Sequence, residues 1–416
     1  MDNQRPEIVT IDNQAISHLI DYCRRHGVAK LALIADHNTY GVLGQAVEAG
    51  LKAQGLDVAS IVFDTPEVVA DARHILQIMV TVDRAPRTYV AVGSGTLTDI
   101  TRFASWRTGN PFVAMPTAPS VDGFASLGAP LIVEGVKTTY ITQAPRAIFA
   151  NLDTLVTAPR AMIAAGFGDI MGKFTAAADW RLGHLLWDEP FDEAIAQRTA
   201  AVAQRCTEQA QAVGEGSPDG VHALMEGLID SGFTMLDLGS SRNASGSEHH
   251  YSHYWEMKLL EEGRPAILHG AKVGVATVLL AQLYDCIKAL NRQDVSDRLE
   301  ASTLPTRDSE IARIQAAFGD MAPAIIAAQR PFLDLTEAAY SALKQRIGDN
   351  WDEVLAIAAQ VPPGQEITRS LQIVGGPTTV AELGLTAQEQ VAAEQYGHYL
   401  RQRFTVRKLA RVLGLG

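Results

Sequence analysis

The chain contains little cysteine and no long apolar run. Its cysteines are Cys23, Cys206 and Cys286, and none of them forms a paired spacing such as C-x-x-C. This pattern favours reduced thiols over a disulfide framework or a cysteine-based metal site. The longest apolar stretch, residues 273–284, is about a dozen residues long, well short of the roughly 20 that span a bilayer. We therefore expect a soluble protein without a membrane partner.

The chain also lacks an excess of basic residues. Its formal net charge is −12, which argues against a nucleic-acid partner because such surfaces neutralise phosphates with basic patches. A small anionic substrate is compatible with this charge, since a local group of cations and backbone N–H groups can bind one phosphate. Residues 1–12 have neither the basic start nor the apolar run of a secretory signal. We expect a cytoplasmic protein.

The length and the apolar pattern predict two domains. A chain of 416 residues exceeds the size at which one hydrophobic core usually keeps growing. Residues 1–157 alternate short apolar runs with longer amphipathic ones, which is typical of βα units in a mostly parallel sheet. Residues 158–416 are rich in alanine and in helical periodicity. The predicted fold is therefore an α/β nucleotide-binding domain followed by an all-α domain.

Individual elements are predicted from the same pattern. The predicted strands are residues 31–35, 58–63, 88–92, 112–115 and 147–150, with a hairpin of residues 131–133 and 139–141 around Gly135 and a short strand at 372–374. The predicted helices of the first domain are residues 42–54 and 68–82.

A glycine turn follows the predicted strand 88–92. The sequence runs through Gly93-Ser94-Gly95-Thr96-Leu97-Thr98-Asp99 directly into a helical stretch. Glycines let a backbone approach a pyrophosphate, and the N–H groups at a helix start favour negative charge. The turn is neither a P-loop nor the full G-x-G-x-x-G fingerprint. By itself it fits either a cofactor-binding loop or a structural βα turn.

Two more strand ends carry polar residues. Asp36 follows the first predicted strand and either accepts hydrogen bonds from an adenosine ribose, which would favour NAD over NADP, or caps the next turn. Residues 116–123, which include Thr117, Ser120 and Asp122, follow the strand 112–115, where α/β sheets bind their ligands. Their hydroxyls fit a nucleotide contact, and their two prolines equally fit a stiff structural turn.

Three separate positions carry metal-ligand donors. Asp169 lies in an apolar helical stretch, His249 lies in the run E-H-H-Y-S-H at 248–253, and His269 precedes a glycine. Each alone is more typical of a helix cap or a hydrogen-bonded core residue. Together, a carboxylate and two imidazoles suit a catalytic divalent ion that keeps open positions for substrate. His253 shares a helix face with His249 and is a candidate for contacting substrate or relaying a proton.

Four stretches in combination resemble the sn-glycerol-1-phosphate dehydrogenase family. This family lies in the superfamily of glycerol dehydrogenase, the iron-containing alcohol dehydrogenases and dehydroquinate synthase. The stretches are residues 93–99, residues 115–123, Ala165-Gly166-Phe167-Gly168-Asp169, and residues 241–253 with His269-Gly270. The chain departs from the family pattern at Asn243, where a proline is usual. Asp169 stands where dehydroquinate synthase would carry glutamate.

The resemblance implies a fold, an activity and site residues. It implies a dehydroquinate synthase-like fold, a homodimer or larger homo-oligomer, and NAD(P)-linked reduction of dihydroxyacetone phosphate to sn-glycerol 1-phosphate. It implies a divalent ion at Asp169, His249 and His269, and substrate contacts at Asp122, Asp169 and His253. The implied cofactor contacts are Gly95, Thr96, Leu97, Thr98, Asp99, Thr117, Ser120 and Ser126, to which the strand-end argument adds Asp36 and Gly93.

The chemistry expected at such a site is carbonyl reduction. The ion would polarise the substrate carbonyl while the nicotinamide delivers hydride, and His253 would supply the proton. Zinc, nickel and iron all accept an Asp-His-His set. The cations near these motifs in sequence, and so candidate phosphate partners, are Lys137, Lys173, Arg242 and Lys272. The alternatives are a dehydrogenase of the same fold acting on a polyol or another small phosphate or phosphonate, and an inactive nucleotide-binding homologue.

Overall fold

The protein folds into two compact units, each built from three separate stretches of the chain. The computed structural model describes residues 5–65, 67–133 and 136–415. Unit 1 comprises residues 1–170, 205–240 and 373–375, and unit 2 comprises residues 171–204, 241–372 and 376–416. The predicted division at residues 157 and 158, into a cofactor-binding and a metal-binding domain, stays a prediction about function.

Unit 1 is built on a parallel six-stranded sheet. In the order β1-β8-β5-β4-β2-β3, the strands are Ile8–Asp12, Ala147–Asn151, Phe112–Met115, Thr88–Val92, Lys30–Asp36 and Asp57–Phe63. The strands β6 (Gly128–Val133) and β7 (Val136–Ile141) form a separate antiparallel hairpin. The central strand β4 is buried along its whole length, because helices cover both faces of such a sheet.

Most helices of unit 1 follow a strand in the chain, and α9 and α10 follow other helices. They are α1 (Ala15–His26), α2 (His37–Thr39), α3 (Gln45–Ala53), α4 (Ala72–Thr81), α5 (Gly95–Arg107), α6 (Leu152–Val156), α9 (Ala210–Glu215) and α10 (Pro218–Leu238). Apolar side chains of α1 and α3 pack with those of β2, β4, β5 and β8 into one core cluster.

Unit 2 is helical. Two helices cross from one unit to the other: α7 (Arg160–Trp187) and α8 (Glu193–Glu208). The helices that carry the histidines are α11 (Ser247–Glu261) and α12 (His269–Lys288). The remaining helices are α13 (Arg292–Ala301), α14 (Arg307–Phe318), α15 (Ala322–Ala328), α16 (Arg330–Leu333), α17 (Glu337–Asp349), α18 (Trp351–Ala358), α19 (Gly364–Ile373), α20 (Ala387–Tyr396) and α21 (Val406–Val412).

The predicted fold class is confirmed, with corrections to single elements. The five predicted parallel strands correspond to β2, β3, β4, β5 and β8, and the predicted hairpin corresponds to β6 and β7, although Gly135 lies outside the described residues. The strand predicted at 372–374 is wrong, because α19 continues to Ile373 and a turn follows it. The strand β1 escaped prediction because its run Ile-Val-Thr-Ile-Asp is only partly buried at the sheet edge.

Two helical stretches have the length and composition of a membrane span. In His269–Lys288, which is α12, 67% of the apolar window is buried inside the protein, as expected of a core helix. The second stretch, Arg307–Ala328, is 22% buried and bends at Gly319, which has a φ of 49°. Length and composition alone make these two stretches weak evidence of a membrane span.

Candidate active site

The glycine turn lies where strand β4 passes into helix α5. A Cβ atom on Gly93 would lie 2.2 Å from Cδ1 of Leu97, and a Cβ atom on Gly95 would lie 2.9 Å from Cγ2 of Val121. Side chains at either position would therefore collide with the turn or with the neighbouring loop. The absence of side chains keeps the N–H groups at the start of α5 accessible to an anion.

This turn sits at a switch point of the sheet. From β2 the chain first moves outward to β3 and then returns to place β4 on the other side of β2. Open α/β sheets bind ligands at such points, beyond the carboxyl ends of the strands. Asp36 ends β2, and the glycine turn ends β4. The turn thus lies where a nucleotide is expected.

Asp36 caps the helix that follows it. Its Oδ1 accepts a 2.7 Å hydrogen bond from the N–H of Thr39, whose Oγ1 accepts a 3.0 Å hydrogen bond from the N–H of Asp36. This reciprocal capping box is the structural alternative that the sequence left open. A ribose contact by Asp36 stays a prediction.

The loop after β5 lies against the glycine turn. The N–H of Thr117 donates a 3.3 Å hydrogen bond to the carbonyl oxygen of Gly93, and the hydroxyls of Ser94 and Ser120 are hydrogen-bonded to each other. Thr117, Ser120 and Ser126 are 7%, 3% and 8% exposed. The structure therefore brings the two predicted cofactor loops together, and these three predicted contact residues are buried.

A buried arginine that the sequence did not reveal holds the end of this loop. Arg102 on α5 is fully buried and donates to the carbonyl oxygens of Gly123 and Gly128 at 2.6 Å each. It also pairs with Asp99 at 2.9 Å. Burial raises the pKa of Asp99 to about 7, against the opposing effects of Arg102 and Lys137. In this structure Asp99 is the ion-pair partner of Arg102, and a cofactor contact by Asp99 stays a prediction.

Asp169 is fixed by the backbone of the same loop. Its Oδ2 accepts a 3.0 Å hydrogen bond from the N–H of Asp122, whose own Oδ2 accepts a 2.9 Å bond from the hydroxyl of Ser231. Gly166, one helical turn before Asp169, makes this approach feasible, because a Cβ atom there would lie 1.8 Å from the carbonyl oxygen of Pro119. The predicted site residues Asp122 and Asp169 are therefore hydrogen-bonded neighbours.

Helix α7 carries Asp169 toward the histidines. Gly172, three residues further on, lies so close to its neighbours that a Cβ atom there would be 2.8 Å from Val273 of α12 and 3.1 Å from Glu248 of α11. The ligand atoms of Asp169, His249 and His269 all lie within 4.8 Å of one another. The three donors that the sequence grouped are brought together.

His253 lies beside His249 and His269, the two candidate ligand histidines. The ring centroids are 6.0 Å apart for His249 and His253, 5.6 Å for His253 and His269, and 5.2 Å for His249 and His269. The side chain of His253 is 25% exposed. It can thus face both the ion position and an arriving substrate.

Glu248 orients His249 and was missed from the sequence. Its Oε1 lies 2.8 Å from Nδ1 of His249 and accepts a 2.6 Å bond from the N–H of Gly246, while Oε2 accepts a 2.6 Å bond from the hydroxyl of Thr175. Burial raises the pKa of Glu248, and these hydrogen bonds oppose that rise. If Nδ1–H donates to the carboxylate, Nε2 is the ring nitrogen of His249 that would bind a metal ion.

The candidate phosphate partners differ in what surrounds them. Lys272 is 1% exposed and lies 3.6 Å from Oε2 of Glu256, the carboxylate that His253 also approaches. Lys173 donates to the carbonyl oxygen of Ala244. Arg242 pairs with Glu189, and Lys137 contributes to the field at Asp99. Lys272 is therefore the cation of this set that shares a neighbour with His253.

Comparisons with known proteins decide the family. The model of the iron-containing alcohol dehydrogenases matches residues 10–159. Glycerol-1-phosphate dehydrogenase [NAD(P)+] of Halalkalibacterium halodurans is 37% identical over 399 residues, which cover 95% of this chain and 90% of the relative. The chain belongs to the glycerol-1-phosphate dehydrogenase family. The resemblance inferred from the four stretches is thereby confirmed.

Other relatives and solved structures agree with this assignment. The Bacillus subtilis protein of the same name is 43% identical over 281 residues, covering 67% of this chain and 71% of the relative. Glycerol dehydrogenase of Schizosaccharomyces pombe superposes with a TM-score of 0.63 at 14% identity, covering 99% of this chain and 89% of that structure. At that identity the likeness shows the fold alone.

Proposed function

We propose that this protein is a metal-dependent, NAD(P)-linked dehydrogenase that reversibly reduces dihydroxyacetone phosphate to sn-glycerol 1-phosphate. The observation that carries the proposal is the convergence of Asp169, His249 and His269 within 4.8 Å, in a chain of the glycerol-1-phosphate dehydrogenase family. Three protein donors that leave further coordination positions open are typical of a catalytic metal site.

The residues present fit a divalent ion. Asp169 is fully buried, so its carboxylate is costly to leave without a compensating positive charge. Glu248 lies 2.8 Å from Nδ1 of His249, so with the ring proton on Nδ1 the other nitrogen, Nε2, would bind the ion. One carboxylate and two neutral imidazoles leave coordination positions for substrate, and zinc, nickel and iron all accept these donors.

The chain's own residues position the substrate and supply a proton. When bound, the ion supplies Lewis-acid polarisation of the substrate carbonyl and the nicotinamide supplies hydride. His253 donates the proton that turns the developing alkoxide into a hydroxyl, directly or through one water. Asp122 holds Asp169 through its backbone N–H, and its side chain, tied to Ser231, lines the substrate position.

We place the cofactor at the glycine turn. Gly93, Gly95 and the start of α5, formed by Thr96, Leu97 and Thr98, would hold its pyrophosphate. The hydroxyls of Thr117, Ser120 and Ser126 would contact the nucleotide and Asp36 the ribose, while Asp99 keeps Arg102 in place. The short hydrogen-bonded contact between the two loops supports this placement.

A cytoplasmic homodimer completes the proposal. The cysteines Cys23, Cys206 and Cys286 are all free thiols, and Cys286 is exposed, which suits a reducing compartment. Helix α4 exposes Leu76, Met79 and Val80 at helical spacing, an apolar stripe that a second subunit would cover. Light scattering of the purified protein tests the dimer.

Substrate discrimination tests the function. The purified protein, loaded with one equivalent of metal, is assayed for NADH and NADPH oxidation with dihydroxyacetone phosphate and, in parallel, with dihydroxyacetone. Turnover of the phosphate ester that a chelator abolishes is the expected result. Turnover of dihydroxyacetone alone would move the protein to the polyol dehydrogenases, and turnover of neither would overturn the proposal.

A further inference from the structure

A second set of metal-ligand donors lies beside the proposed ion position. One ligand atom each from His253, Glu256 and His269 lie within 4.8 Å of one another. Nδ1 of His253 is 3.4 Å from Oε2 of Glu256, one turn later on α11. His269 begins α12, and its ring centroid lies 5.6 Å from that of His253. All three side chains are partly exposed, so an ion from solution can reach them.

The donor types suit a transition metal. Two imidazoles and a carboxylate form a set that binds zinc, and small side-chain rotations bring atoms at these separations to zinc–ligand distances of about 2.0–2.2 Å. The i, i+3 spacing of His253 and Glu256 puts both on one face of α11. This set contains one ligand, His269, that also belongs to the first set.

We propose that His253, Glu256 and His269 form a second, weaker and inhibitory position for a divalent transition-metal ion. The proposal rests on the proposed function, because the first position and the role of His253 come from it. An ion at the second position removes His253 from proton supply. Excess zinc therefore inhibits the enzyme that one equivalent of metal activates.

Lys272 makes the second position the weaker one. Its Nζ lies 3.6 Å from Oε2 of Glu256, and it is 1% exposed. A buried ammonium group repels an arriving cation and competes for the carboxylate. In the first set, Asp169 accepts a 3.0 Å hydrogen bond from the N–H of Asp122, which supports its negative charge. Occupancy of the second position thus requires excess metal.

Calorimetric titration of the metal-free protein with zinc tests the proposal. The wild type is compared with Glu256→Gln, which removes the carboxylate of the second set and leaves the first set intact. Glu261→Gln is the matched control, because Glu261 lies on the same helix, is 64% exposed and pairs only with a surface lysine, Lys258, among its described ion-pair partners. Circular dichroism checks that each variant is folded.

We expect two binding phases in the wild type, one tight equivalent and one weaker equivalent. Glu256→Gln loses the weak phase or weakens it at least about tenfold, while Glu261→Gln keeps both phases. Lys272→Met, which removes the competing cation, tightens the weak phase about tenfold. Because Lys272→Met raises the affinity of the weak phase, partial unfolding of the variant cannot account for the result.

Several results would overturn the second position. They are a single zinc equivalent bound by the wild type at millimolar zinc, a weak phase unchanged in Glu256→Gln, or a weak phase unchanged in Lys272→Met. These readouts need no substrate. A protein that shows both phases but does not turn over dihydroxyacetone phosphate would keep the second cation position and lose the proposed function. A protein that turns over dihydroxyacetone phosphate but shows a single phase would keep the proposed function and lose the second position.

Discussion

Oε1 of Glu248 lies 2.8 Å from Nδ1 of His249, the next residue along the same helix. Adjacent helical side chains normally point in different directions, so this pair exists because Glu248 is also held by Gly246 and Thr175. A carboxylate at this position orients the imidazole of His249. It also raises the basicity of the ring, which would make His249 a stronger metal ligand.

Glu248→Gln tests whether the negative charge of Glu248 contributes to metal binding, because glutamine keeps the shape of the side chain. The glutamine oxygen can still accept from His249 and Gly246, and its amide can donate to the hydroxyl of Thr175, but the negative charge is lost. We expect metal affinity to fall about 10–100-fold with the fold retained. Competition titration with a chromophoric chelator measures this. Equal affinity in Glu248→Gln and wild type would show that the charge plays no part.

Gly166→Ala tests the contact that positions Asp169. Alanine is favoured over glycine within a helix by about 1 kcal/mol, but its Cβ would lie 1.8 Å from the carbonyl oxygen of Pro119, a backbone atom that cannot change rotamer. We expect the second effect to win, with a net loss of about 1–3 kcal/mol in unfolding free energy and weaker metal binding.

Gly348→Ala is the control for this substitution. A Cβ atom there would meet Cδ1 of Leu299 at 3.7 Å, an ordinary contact, so helix propensity alone decides and stability stays equal or rises. Urea unfolding of both variants provides the comparison. A Gly166→Ala protein as stable as wild type would contradict the close approach of the loop to α7.

Asp99 makes stability depend on pH. Its pKa is raised to about 7, from 3.8 in the unfolded chain. Between these values the folded protein binds more protons than the unfolded chain, so this group's contribution to stability is present at low pH and is lost as the pH rises toward 7. We expect Asp99→Asn to flatten the fall in unfolding free energy between pH 4 and 7.

Asp83→Asn is the matched control for the pH series. The pKa of Asp83 is lowered to about 2 by its bond to Arg87, so its contribution changes below pH 4 and leaves the slope above that value unaltered. Denaturant titrations at a series of pH values measure both slopes. A steeper slope in Asp99→Asn would contradict the raised pKa.

His253→Asn tests the proton donor. If His253 only supplies a proton, its loss lowers kcat about 10²–10⁴-fold, while the tight metal equivalent stays bound by Asp169, His249 and His269. Steady-state kinetics and metal analysis on the same sample measure the two effects. Unchanged kcat would exclude the role, and loss of the tight equivalent would make His253 a ligand.

Much of the fold was predictable because buried parallel strands have a strong local signal. Strand β4 is buried at each of its five positions, and in sequence it is a threonine followed by four apolar residues. The false strand at 372–374 was predicted on the short run Gln-Ile-Val. In the helix α19, however, Leu371 is 1% exposed and Ile373 is 39% exposed, because they lie on different faces of the helix. A stretch of three residues is too short to show helical periodicity.

The site was predictable only in part. Asp169, His249 and His269 were found through donor type and family resemblance, since residues 80 and 20 positions apart in sequence meet only in the fold. Arg102 and Glu248 gave no such signal. A single arginine in a helix is usually exposed, and its role here depends on carbonyl groups of residues 123–128 that turn toward it.

Metal dependence of turnover tests the central claim most directly. Metal-free protein is titrated with zinc, nickel or ferrous iron while NADH oxidation with dihydroxyacetone phosphate is followed, beside Asp169→Asn and His269→Asn. We predict that activity rises to a maximum at one equivalent per chain in the wild type, and that both variants remain at least about 100-fold less active at that point. Full turnover by chelator-treated protein that retains no metal, or by either variant, would contradict the account.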